Sequence, residues 1–143
     1  MDEIQAKLEI KKAVLRQIIE SLTEQLFVLE KSAKIAHDEA THSDTKQEGK
    51  YDTRAIEASY LAGAQYERMN LLRADIVKLK SLNLSVFSKE QAIDTGAIVT
   101  LESSETQNHV FILPAASGEV CQFENITYKV ITPKSLYGLE LCG

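Results

Sequence analysis

In a chain of 143 residues, the groups that could do chemistry crowd into one stretch. Between His37 and Asp52 stand the carboxylates of Asp38, Glu39, Asp44, Glu48 and Asp52, opposed by Lys46 and Lys50, for a local charge of −3. Carboxylate oxygens suit Mg²⁺, which takes oxygen ligands in octahedral geometry, keeps several waters and is usually held by one or two carboxylates with phosphate. His37 and His42, beside Asp38 and Asp44, add nitrogen donors of the kind zinc takes, but no cysteine is near and no closed ligand set is evident. The same residue types also gather in any solvated turn, with no chemistry attached.

What must position these groups is legible upstream and downstream. Leu8, Leu15, Leu22 and Leu29 recur every seven residues, Ala36 extends the series, and Ile4 and Ile18 complete a seam interrupted by Lys11, Gln25 and Ser32. Val14, Ile19 and Leu26 widen the stripe, while Glu3–Lys7 and Glu30–Lys34 have the favourable i,i+4 order. A helix of about 35 residues rises roughly 50 Å. From His37 to Thr53 the apolar pattern vanishes, so a turn is expected there, with Asp52 or Thr53 capping a second helix. That helix runs to about Leu82 with its seam at Ala55, Ala58, Ala62, Gln65, Met69, Leu72, Ile76 and Leu79. An antiparallel pairing sets Ala55 and Ala58 opposite Ala33 and Ala36, close at the turn and wider at the base.

Beyond residue 93 the composition changes. Residues 1–93 carry 14 Lys/Arg against 15 Asp/Glu, whereas residues 94–143 carry only Lys129 and Lys134 against six acids, with both prolines. Four apolar runs read as strands: Ile98–Leu101, His109–Leu113, Glu119–Phe123 and Ile126–Ile131, with a hairpin bend at Ser117-Gly118 and a turn at Glu124-Asn125. The fold expected is α+β: an antiparallel two-helix coiled-coil hairpin over residues 1–83 with its tip at 37–53, a linker at 84–95, and a small antiparallel β domain at 96–143. A net charge of −5 argues against unaided nucleic-acid binding. No apolar run approaches the roughly 20 residues a spanning helix needs, and Met1-Asp2-Glu3 does not open a secretory signal. The expected compartment is the cytoplasm, with Cys121 and Cys142 reduced. Asn125-Ile126-Thr127 matches a glycosylation sequon that such a compartment leaves silent.

A long helical hairpin followed by a small β domain resembles the Gre family of bacterial transcript-cleavage factors. The segments Leu113-Pro114-Ala115-Ala116-Ser117-Gly118 and Val130-Ile131-Thr132-Pro133-Lys134-Ser135 are similar to two stretches of that family's FKBP-like domain. Asp44-Thr45-Lys46 with Lys50-Tyr51-Asp52-Thr53 looks like the tip of a shorter Gre-related group. The chain departs from the family at Ser135-Leu136-Tyr137-Gly138, where members usually carry Ser-Pro-Leu-Gly, and at Gly143, where members continue into a final strand. The resemblance implies a factor that is not an enzyme by itself. Its hairpin would enter the secondary channel of RNA polymerase and approach the RNA 3′ end only indirectly. There Asp38, Glu39 and Asp44 would help hold a Mg²⁺ shared with the polymerase and promote hydrolysis of backtracked RNA. Cleavage factors of this kind space their tip Asp and Glu three residues apart, whereas Asp38 and Glu39 are adjacent.

Three other readings stand beside cleavage. The hairpin can occupy the channel without cleaving, and so inhibit or otherwise modulate transcription. It can be a plain coiled-coil module that binds a partner helix or a second copy of itself. Peptidyl-prolyl isomerisation, suggested by the FKBP likeness, needs an aromatic-lined pocket, and the β half offers only Phe111, Phe123, Tyr128 and Tyr137.

Overall fold

The computed structural model describes the backbone of residues 2–44 and 51–142, and the side chains of residues 2–38 and 62–142. Helix α1 spans Glu3–Asp44. It starts because Asp2 caps it: its Oδ1 accepts from the backbone N–H of Gln5 at 2.7 Å, satisfying a donor that the first turn leaves free. The expected Glu3–Lys7 pair forms at 3.5 Å. Its far end differs from expectation. The helix continues past His37 to Asp44, because loss of the apolar stripe removes a packing face without removing helix propensity. Helix α2 spans Tyr51–Lys80, so Asp52 and Thr53 lie inside its first turn rather than ahead of it as caps. Lys78 and Lys80 sit in its last turn, where the helix dipole favours cations.

Two compact units divide the chain. One joins Met1–Ser21 with Asp75–Gly143, and the other is Leu22–Ala74. In the second, Leu22 and Ala33 of α1 and Met69 and Leu72 of α2 are buried. There Arg73 Nη2 reaches Glu30 Oε1 at 3.1 Å, across from one helix to the other rather than along α1 to Lys34. Among the seam residues expected on α2, Met69, Leu72, Ile76 and Leu79 are buried, whereas the side chains of Ala55 and Ala58 lie outside the described residues. On α1, Val14, Leu15 and Ile18 are buried but Ile4 is 65% exposed.

In the first unit four strands form one sheet: β1 (Ile98–Glu102), β2 (Gln107–Ile112), β3 (Val120–Phe123) and β4 (Ile126–Ile131), in the order β1-β2-β4-β3. The sheet is mixed, correcting the antiparallel expectation: β1–β2 and β3–β4 are antiparallel but β2–β4 is parallel. Burial explains the order. β2 carries Val110-Phe111-Ile112 and β4 carries Val130-Ile131, consecutive apolar residues that need cover on both faces, so these two strands take the centre. The bend at Ser117-Gly118 therefore does not join neighbouring strands. The segment after β2 arcs over the end of β4, with Leu113 N–H donating to Ile131 O at 3.0 Å and Gly118 N–H to Val130 O at 2.9 Å. Gly118 adopts φ 94°, a value that needs glycine. β3 then turns into β4 through Glu124 (φ 49°) and Asn125 (φ 66°), the two positive values of a type I′ hairpin turn.

The register lines up two rows across the sheet. Thr100, His109, Tyr128 and Cys121 share one face, and Val99, Val110, Lys129 and Val120 the other. The first face meets α1, where the Cys121 thiol donates to Gln17 Oε1 at 3.2 Å. On the second, Ala97, Val110, Ile112 and Ile131 form a core cluster joined by Phe87 and Ile93 from the segment expected as linker. Leu141 and Cys142 also pack there, at the end of a short helix α3 (Leu136–Leu141) that the sequence reading did not anticipate. Ser135 caps α3, its hydroxyl accepting from Gly138 N–H at 3.0 Å.

Candidate functional site

Of the carboxylates singled out by sequence, Asp38, Glu39 and Asp44 lie on α1 and Asp52 lies in the first turn of α2, whereas Glu48 lies outside the described residues. Asp38 is exposed, and the side chains of Glu39 and Asp44 lie outside the described residues. A helical backbone still fixes the directions in which these positions leave the axis. At 3.6 residues per turn, position 39 sits about 100° around from position 38, and position 44 about 240° around. Among the described residues no group of three or more His, Cys, Asp or Glu is placed to hold a metal ion. His37 borders a small cavity of about 280 Å³ with Glu30, Lys34, Tyr66, Met69 and Arg73. His42 lies outside the described side chains.

The isomerase reading needs exposed aromatics around a pocket. Phe111 is fully buried in the sheet, which removes it from any surface role.

A second cluster went unnoticed in the sequence because its members are far apart in the chain. Lys11, which interrupts the leucine seam, is only 7% exposed. Its Nζ donates to the carbonyl oxygen of Ser85 at 2.8 Å and lies 4.9 Å from the Phe87 ring centroid. Burial holds its amine below the ordinary lysine value. Facing it is the Thr100–His109–Tyr128 row. Thr100 Oγ1 and His109 Nδ1 are 3.1 Å apart, and the His109 and Tyr128 rings are 5.8 Å apart at 53°. Burial first, then the negative charge of Glu124 and then Cys121, pushes the Tyr128 phenol above its ordinary value, so it remains a hydrogen-bond donor. These groups border a cavity of about 400 Å³ that also takes in Lys7, Phe87 and Ile98. A lysine at a seam position was the only available signal, since charge in a heptad core is costly unless something compensates it.

Against known proteins, the chain matches no family model, no curated protein and no solved structure. Among the described residues no helix is long and apolar enough to cross a membrane.

Proposed function

We propose that this protein is a Gre-like regulatory factor that binds bacterial RNA polymerase, with α1 and α2 as an antiparallel hairpin entering the secondary channel to modulate elongation. The observation that carries this reading is the pairing of Glu30 with Arg73, together with α1 ending at Asp44 and α2 beginning at Tyr51. Residues later in α1 meet residues earlier in α2, since His37 shares a cavity with Tyr66 while Glu30 contacts Arg73. Such pairing brings Asp38, Glu39 and Asp44 toward the hairpin end. The small sheet with the segments Leu113–Gly118 and Val130–Ser135 supplies the FKBP-like docking half of the proposal.

The spread of positions 38, 39 and 44 around the helix favours channel occupancy over cleavage. Any Mg²⁺ that these acids help to hold would take its other ligands from the polymerase, and the polymerase remains the enzyme. The test measures binding to purified bacterial polymerase and cleavage of backtracked RNA, for the native protein and for a variant with Asp38→Ala, Glu39→Ala and Asp44→Ala. Binding with altered elongation and no added cleavage supports the proposal. Stimulated cleavage that the triple variant loses replaces it with metal-assisted cleavage, and absence of binding overturns both.

The alternative is a coiled-coil interaction module that associates with a second copy of itself, and exposed apolar side chains favour it. Phe27 is 64% exposed, Val28 58% and Leu71 59%, on helices whose seam residues Leu22, Met69 and Leu72 are buried. A stable dimer by light scattering with no polymerase binding would select that module.

A further inference from the structure

The polymerase reading leaves the Lys11 cavity without a role. Its polar lining is Lys7, Lys11, Thr100, His109 and Tyr128, its remaining walls are apolar, and no Asp or Glu borders it. Lys11 has three N–H donors, of which one is used by Ser85 O. Among the described residues no carboxylate pairs with it. A buried ammonium facing only a carbonyl and a ring is incompletely compensated, and an anion in the cavity would complete it.

We propose that this cavity binds a small organic monocarboxylate, its head group on Lys11 and Tyr128 and its apolar body against Phe87 and Ile98. A single negative charge is the match, for three reasons. Lys11 supplies the one buried cation among the described residues. The charge of Lys7 is already shared with Glu3 at 3.5 Å. Glu124 lies close enough to act on Tyr128, so a dianion would meet repulsion. Apolar walls further favour a ligand with a hydrocarbon body over inorganic anions. The site belongs to the unit Met1–Ser21 with Asp75–Gly143, and it stands or falls independently of polymerase binding.

The test uses the full chain alone. Acetate, hexanoate, benzoate, benzamide and inorganic phosphate are titrated while amide and aromatic NMR resonances are followed. Hexanoate or benzoate should saturate and shift signals of Phe87, His109 and Tyr128, with benzamide at least ~tenfold weaker because a charge-assisted hydrogen bond is lost. Lys11→Met should weaken the carboxylate at least ~tenfold, and Tyr128→Phe several-fold. Should Lys11→Met fail to fold, the benzamide comparison and Tyr128→Phe decide instead. The proposal is overturned if no carboxylate saturates, if folded Lys11→Met binds benzoate as the native protein does, or if phosphate binds the same residues as tightly.

Discussion

Lys11 Nζ donates to Ser85 O at 2.8 Å across a sequence separation of 74 residues, joining the first helix to the segment that leads into the sheet. One charged side chain thereby fixes the approach of an otherwise irregular stretch. The Phe87 ring adds to the hold from 4.9 Å.

Truncation of this lysine should be felt as lost packing and a lost charged hydrogen bond. Lys11→Ala is expected to lower stability by about 2 kcal/mol. Lys11→Met, which keeps the apolar stem and relieves the ammonium of its burial, should stay within about 1 kcal/mol of the native protein. Urea midpoints at neutral pH measure both, and an equal loss in the two variants would refute the assignment.

Gly138 is required for close approach. A Cβ there would collide with the carbonyl oxygen of Thr132 and crowd Pro133, both backbone neighbours that cannot swing aside. Gly138→Ala should therefore cost about 1–3 kcal/mol. Ser135→Ala removes the cap and should cost about 1 kcal/mol. Thermal unfolding compares the two, with the glycine variant expected to melt lower.

Buried Cys121 sets an alkaline limit. Burial raises its thiol above the ordinary value of 9.0, so on raising pH the unfolded chain loses this proton before the folded one does. Stability is then fully present below that ordinary value and declines as pH climbs from it through the raised folded value. Tyr128 acts in the same sense above its own ordinary value of 10.0, while Lys11, held low, opposes both. Cys121→Ala should flatten the fall in urea midpoint across the thiol's window, whatever its effect on the midpoint at neutral pH. An unchanged slope would show that the thiol ionises alike in both states.

Gln65 stands at a seam position of α2 with its Oε1 buried and without a hydrogen-bond partner. Gln65→Leu should raise stability by about 1 kcal/mol, because an unsatisfied acceptor is replaced by an apolar group suited to the seam. A rise in the urea midpoint checks this, and a fall would mean that the amide is doing something the apolar seam needs.

Periodicity made the helices readable. Met69, Leu72, Ile76 and Leu79 were named by their spacing and are buried, since a helix with one apolar stripe has one face to hide. The fourth strand, Ile126–Ile131, was bounded at both ends as observed, because its two-residue turn and its β-branched run are local signals. The end of α1 was misplaced because absence of a stripe says that nothing packs there, not that the helix stops. α3 was missed because its six residues leave Leu136 and Leu139 exposed, so no amphipathic pattern announces it.

The residue order by itself determined an α+β chain with two long helices, four strand segments and an acidic stretch from Asp38 to Asp52. Those features rest on interactions among near neighbours, which local pattern records. Only the tertiary structure decided that β4 slides between β2 and β3 and that Thr100, His109 and Tyr128 fall in one row. It also decided that Lys11 is buried facing them. Each of these depends on which strand gains most from cover on both faces, a comparison among distant segments that no local window contains.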